Sequence, residues 1–181
     1  NLELEGKAVG HVTSSTDFML PYTFGVELMG DKATLRDTLI ASQNRDKLRE
    51  IEGLIAGLPF RFLIPRDVGI ETSPEETETT FLGNARLKAE HYSRVSGLPA
   101  VADDSGLSID AMNGEPGVHS SRFCGENATY PQRFEEIWRR LRDVPADRRT
   151  AHFTCAVVMV AAGRVVFETE QHVHGLIAAT P

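Results

Sequence analysis

The chain has 181 residues, 41% of them hydrophobic and 25% charged, a size at which one compact domain hides roughly 70% of its unfolded surface. Nineteen Lys and Arg against 26 Asp and Glu give a net charge of -7, which excludes a domain-wide basic footprint for nucleic acid but not a phosphate ligand neutralised by a divalent metal. No stretch approaches the roughly 18 apolar residues of a membrane span, no basic start with an apolar core marks a signal peptide, and Cys124 and Cys155 form neither a CxxC pair nor a ligand cluster, so a reduced, cytoplasmic setting is expected.

Residues 1–37 are short alternating runs, Val9 to Thr13 and Thr23 to Met29, broken by Gly10, Gly25 and Gly30; they read as antiparallel strands. From Thr38 the rhythm changes. Leu39, Ile40 and Ala41 predict a short buried strand, and Leu48, Ile51, Leu54 and Ile55 recur at helical spacing until Gly57. A strand over Phe60 to Ile64 and an acidic loop over Ile70 to Glu78 come next. The spacing then predicts a helix from about Thr80 to Val95, stopped by Ser96-Gly97-Leu98-Pro99. Ala100 to Ala102 reads as a short apolar strand running into Asp103-Asp104-Ser105-Gly106. Leu107 to Met112 alternates again, and Gly114-Glu-Pro-Gly117 turns the chain. Thr129 and Pro131 open a helix through Phe134, Ile137, Trp138 and Leu141. Phe153 to Ala161 and Val165 to Val173 form a hairpin around Ala162-Gly163. Strands alternating with helices place the chain in the α/β class.

Several motifs fail on inspection. Gly25-Val-Glu-Leu-Met-Gly30 is followed by Asp31, Lys32 and Ala33, whereas a phosphate loop needs Lys directly after the second Gly, then Ser or Thr. No GxGxxG, GxSxG or HExxH occurs. His172 and His174 share one face of a strand and could grip a metal, but no third ligand stands nearby in sequence, which favours a solvated strand face.

Four segments carry chemistry. In Ile40-Ala41-Ser42-Gln43-Asn44-Arg45-Asp46-Lys47 a strand gives way to a helix start, whose free N–H groups attract anions. Lys47 adds a mobile cation there, although Asn44 alone also reads as a simple N-cap. On the helix from Thr80, residues Phe81, Ala85, Ala89, Tyr92 and Val95 share a face at 100° per residue, with Lys88 inside the stripe and Asn84 at its edge. A lysine there either meets an anion or snorkels to the surface. Glu75-Glu76 precede that helix, and by themselves they read as a solvated run that favours its dipole. Asp103-Asp104, at the end of an apolar strand where ligands of open α/β sheets gather, repel each other and need a cation or a proton. Mg²⁺ suits such a place, since it takes one or two carboxylates plus phosphate oxygens and water. Adjacent strand residues point to opposite faces, so one of the pair faces the metal.

Taken together these residues resemble the inosine/xanthosine triphosphate pyrophosphatase family of house-cleaning nucleotide hydrolases. The matches are Ala41-Ser-Gln-Asn-Arg-Asp-Lys47, Glu75-Glu-Thr77, Thr80-Phe-Leu-Gly-Asn-Ala85 with Leu87-Lys-Ala89, and Leu98-Pro-Ala-Val-Ala-Asp-Asp-Ser-Gly-Leu107. Gly114-Glu-Pro-Gly-Val118, Ser121-Arg122 and Asp143-Val-Pro145 with Arg148-Arg149 continue the pattern. The resemblance spans about Leu39 to Pro181. It implies a mixed central sheet flanked by helices in two lobes, with an active-site cleft between them and a domain over 38–181, residues 1–37 being an extension outside it. It also implies Mg²⁺-dependent cleavage of ITP, dITP or XTP to the monophosphate and pyrophosphate, in a cytoplasmic homodimer that binds neither nucleic acid nor membrane. Asp104 would be the general base and a Mg²⁺ ligand, with Glu76 sharing metal or water positioning. Lys88, with Lys47, Asn44, Asn84, Ser105 and the backbone of Ser42, Gln43, Arg45 and Asp46, would hold the phosphates.

The chain departs from this pattern in two places. The usual Thr-Gly-Asn stands here as Ser42-Gln43-Asn44, so the loop loses a permissive glycine. The family's Gly-Phe-Gly-Tyr-Asp-Pro segment and later Ser-His-Arg, which contact the base, do not occur. The resemblance thus implies a domain cut short at its C-terminus, lacking base contacts, a cleft wall and several strands, and leaving the hairpin with an unpaired edge. A non-catalytic nucleotide- or metal-binding fragment is the alternative. Residues 1–36 are similar to a sheet piece of dehydrogenases related to glucose–fructose oxidoreductase, without the cofactor-binding half; no oxidoreductase activity is expected from it.

Overall fold

In the computed structural model the described residues are 2–4, 7–9, 37–42 and 61–178, the first two segments by backbone alone. The expected loop over Gln43 to Lys47, the helix from Leu48 to Ile55 and the strand from Thr23 to Met29 lie outside them. Among the described residues seven strands occur: β1 Leu2–Leu4, β2 Lys7–Val9, β3 Asp37–Ile40, β4 Arg61–Leu63, β5 Ala100–Ile109, β6 Thr150–Ala161 and β7 Arg164–Ile177. Two α-helices occur among the same residues, α1 Phe81–Ser96 and α2 Tyr130–Arg140. None among the described residues is long and apolar enough to cross a membrane.

The chain divides into two units, Met19–Asp104 with Ala156–Glu170, and Asn1–Phe18 with Ser105–Cys155 and Gln171–Pro181. In the first, β3 runs parallel to β4, pairing Leu39 with Leu63, and parallel to β5, pairing Leu39 with Ala100 and Ile40 with Val101. Leu39, Ala100, Ile70 and Tyr92 form its buried cluster. Helix α1 starts where Thr80 takes an extended conformation and its side chain accepts from the Gly83 N–H, the ordinary N-cap arrangement. It stops at Gly97, whose φ of 70° few other residues tolerate. Phe81, Ala85, Ala89 and Tyr92 are buried as the stripe predicts, but Val95 is 52% exposed. Val95 is the penultimate residue of the helix, just before the Gly97 stop. The β6–β7 hairpin closes through Ala162 and Gly163, with φ of 50° and 72°, the paired positive values of a two-residue turn that matches strand twist.

The other unit is built on Ile109, Met112, Phe123, Ile137, Leu141, Ala151 and Ile177. Helix α2 begins with a capping box, the Thr129 N–H donating to Gln132 Oε1 at 2.8 Å. The alternation of Leu107 to Met112 ends as strand at Ile109, and Asp110–Met112 forms a single 3-10 turn. Here β1 pairs antiparallel with β2 and with β7, setting Leu2 opposite Ile177 and Glu3 opposite Leu176. The edge of β7 expected to stand open is therefore covered at these two positions. Parallel and antiparallel pairings together make the mixed α/β architecture expected from the sequence.

One further boundary differs. The acids Asp103 and Asp104 do not follow a three-residue strand; β5 continues through them for ten residues, from Ala100 to Ile109. A strand can carry acids through its middle when their charges are met by neighbours, and for Asp104 they are.

Candidate active site

The parallel register sets the stage. Ile40 lies opposite Val101, so Ser42, just past the end of β3, and Asp104, within β5, lie on the same carboxyl-terminal side of that parallel pair, the side on which α/β sheets collect ligands. Within that unit α1 presents Lys88 and Asn84, one turn apart, toward β5. Lys88 Nζ is 2.9 Å from Glu76 Oε1 and 3.2 Å from Asp104 Oδ1. The lysine and Asp104 side chains are each 12% exposed and Glu76 24% exposed. Of the two ways a stripe lysine can be accommodated, the molecule uses the anion. Of the acidic pair in the loop, Glu76 is the member turned inward, whereas Glu75 is exposed.

Asn84 is fully buried, and both ends of its amide are engaged. Nδ2 donates to Asp104 Oδ2 at 3.2 Å, and Oδ1 accepts from the Glu78 N–H at 3.0 Å. It therefore ties the end of the acidic loop to the acid on β5. Gly83 belongs to the same joint, and sequence reasoning missed it. A Cβ there would stand 2.8 Å from Thr80 Oγ1 and 2.9 Å from Glu78 Cβ, so the loop can lie against α1 only over a bare backbone. The available signal was a glycine inside a helical pattern, which has a packing or functional reason when it persists.

Electrostatics follow from this packing. Burial lifts the Asp104 carboxyl above the ordinary range and Glu76 lifts it further; Lys88 and the Asn84 hydrogen bond pull it back without restoring it. For Lys88, burial favours the neutral amine, but Asp104, Glu76 and Asp103 outweigh that and hold the ammonium above its usual value. The site is thus a cation flanked by two close carboxylates, with excess negative charge. Among the described residues no group of three or more His, Cys, Asp or Glu side chains is placed to hold a metal ion.

The remaining expected residues are placed less centrally. Ser42 is described, and its N–H donates to Ile40 O at 2.8 Å, so that amide is turned into the strand end. Ser105 follows Asp104 in β5, and alternation sends its side chain to the opposite face. Gln43, Asn44, Arg45, Asp46 and Lys47 lie outside the described residues. A cavity of about 560 Å³ occurs in the other unit, lined by Glu115, His119, Arg122, Phe123, Cys124 and Arg140 among others. It takes in parts of the Gly114–Val118 and Ser121-Arg122 segments, not the acids.

A model of the Ham1 family matches residues 38–181. The chain belongs to the Ham1 family. Among relatives, a dITP/XTP pyrophosphatase of Photorhabdus laumondii is 42% identical over 126 residues, covering 70% of this chain and 64% of that protein. A dITP/XTP pyrophosphatase of Salmonella typhimurium is 43% identical over 124 residues, covering 68% and 62%. The chain thus spans less than two thirds of the length of these curated relatives. Among solved structures, a HAM1 protein from Coxiella burnetii superposes with a TM-score of 0.76 at 36% identity, covering 81% of this chain and 75% of that one. This establishes the Ham1-type α/β fold, and the acid site lies within the matched residues.

Proposed function

We propose that the protein hydrolyses deaminated purine nucleoside triphosphates, ITP, dITP and XTP, to the monophosphate and pyrophosphate in a Mg²⁺-dependent reaction. The observation that carries this reading is the buried Lys88 ammonium between Glu76 and Asp104, in a chain of the Ham1 family whose relatives are named dITP/XTP pyrophosphatases. The donor set fits the metal: two carboxylates with surplus negative charge suit a cation that takes its other ligands from phosphate and water. Glu76 and Asp104 would hold Mg²⁺, which when bound supplies neutralisation of phosphate charge.

The chain's own residues do the rest. Asp104, its basicity lifted by burial, accepts the proton of the attacking water. Asn84 holds that carboxylate in orientation, and its second amide hydrogen is the one available to a phosphate. Lys88 keeps its proton and offsets the charge developing on the leaving pyrophosphate when substrate displaces part of its carboxylate pairing. Lys47, Asn44 and the backbone from Gln43 to Asp46, including Arg45, complete the phosphate contacts in this reading. Residues 38–181 act as the pyrophosphatase domain, with 1–37 as an extension, in a cytoplasmic homodimer.

The test is release of pyrophosphate from ITP, XTP, dITP, ATP and GTP with Mg²⁺. Preferential release from the three 6-oxo substrates lacking a 2-amino group supports the proposal. Nucleotide binding without turnover would support the second reading, a non-catalytic nucleotide- and metal-binding chain.

A further inference from the structure

The unit built on Ile109 and Leu141 holds a cavity that the acids do not use. It measures about 560 Å³, within the roughly 300–1,000 Å³ of sites that enclose small molecules. Pro116 and Phe123 give it apolar wall, and Glu115, Arg122, Glu136 and Arg140 give it charge. We propose that this cavity binds a small planar aromatic molecule carrying an anionic group, with a nucleoside monophosphate as its representative.

Arg140 is the residue that selects such a ligand. Its Cζ lies 5.1 Å from the centre of the Phe123 ring, a cation–π distance, so one side of the guanidinium is taken by an aromatic. Two carboxylates fix its plane: Nε donates to Glu136 Oε1 at 2.8 Å and Nη1 to Glu115 Oε2 at 2.7 Å. A guanidinium held in this way is a ready stacking surface, because the ligand does not have to order it first. The side chain lines the cavity and is 37% exposed, which leaves room for a second planar group against it. The anionic group follows from the charge balance. Arg139 also donates to both oxygens of Glu136 at 2.7 Å, and the two arginines hold that carboxyl down to about 2, so it stays ionised and paired. Three guanidinium groups, on Arg122, Arg139 and Arg140, thus stand against the two carboxylates of Glu115 and Glu136. Nη2 of Arg140 has no hydrogen-bond partner among the described residues and is the donor left for a phosphate oxygen. A neutral or cationic aromatic would leave that surplus unmet.

The experiment is calorimetric titration of the full chain with cytidine monophosphate, cytidine, ribose 5-phosphate and inorganic phosphate, in EDTA so that no divalent cation holds phosphate at the acids. Cytidine monophosphate is expected to bind at one equivalent, and each of the three partial ligands at least ten-fold more weakly. Arg140→Gln should weaken the nucleotide by about ten-fold or more, as loss of a charged donor does. Arg140→Lys keeps the charge without the plane, so it should bring the nucleotide down to the affinity of ribose 5-phosphate. Lys88→Met, at the acids, should leave nucleotide binding unchanged. Circular dichroism establishes that each variant is folded. If Arg140→Gln is not, the wild-type ring NMR signals decide: the nucleotide should shift those of His119 and Phe123, which line the cavity, and spare His91. Absence of stoichiometric nucleotide binding, equal affinity for the nucleotide and inorganic phosphate, unchanged affinity in Arg140→Gln, or loss of binding in Lys88→Met would overturn the proposal.

Discussion

Replacing Lys88 by Met is the most informative perturbation of the acid cluster. Methionine keeps an unbranched stem and removes the ammonium held at 2.9 Å and 3.2 Å from Glu76 and Asp104. Breaking a buried ion pair from one side costs about 3–5 kcal/mol. With side-chain exposures of 12–24% here, water recovers part of that, leaving about 2–3 kcal/mol. The loss depends on pH. Lys88 is what pulls the Asp104 carboxyl back down against burial and Glu76, so its removal lifts that pKa further above the unfolded value. A group raised in this way binds more protons folded than unfolded, so stability increases as pH falls through the folded pKa. Urea unfolding of wild type and Lys88→Met should therefore show the full deficit at pH 8 and a smaller one at pH 5.5. Adding Asp104→Asn to Lys88→Met should restore part of the stability, with a coupling of about 1 kcal/mol or more. A variant within about 0.5 kcal/mol of wild type at both pH values, with additive double-mutant behaviour, would refute the reasoning.

Two further substitutions probe the joint between loop and helix. Asn84→Ala removes two hydrogen bonds, at 3.0 Å and 3.2 Å, from a fully buried site; thermal unfolding should show a loss of about 2–3 kcal/mol, and kcat should fall more than KM rises. Gly83→Ala would gain about 1 kcal/mol from helix propensity alone. The Cβ contact of 2.8 Å with Thr80 turns that into a net loss of about 1 kcal/mol through overpacking, readable as a lower Tm; a stabilised Gly83→Ala would show that the loop does not lie on this backbone.

Much of this architecture was legible because it is punctuated locally. Thr80 and Gly97 bracket α1 in the chain as they do in space, and Ala162-Gly163 marks the hairpin without any tertiary information. The meeting of Lys88 with Asp104 was legible as well: an ammonium on an apolar stripe and an acid on an apolar strand each lack a partner locally. What could not be read depends on partners distant in sequence. β5 continues through Asp103 and Asp104 because groups 16 and 20 residues away meet the second acid. That Asn84 also ties the Glu78 backbone to Asp104 could not be read, because such hydrogen-bond partners leave no trace in composition. His152 was invisible as a ring neighbour of His172 and His174 because cross-strand neighbours are set by register, which the spacing within one strand does not reveal.

The central claim is that Asp104 takes the proton from the attacking water, and steady-state pyrophosphate release from ITP with saturating Mg²⁺ tests it most directly. Wild type should turn over, and Asp104→Asn, which preserves shape and the contact with Asn84, should lose about three orders of magnitude or more in kcat while its circular dichroism stays that of wild type. Undiminished turnover in the folded Asp104→Asn protein would contradict the account.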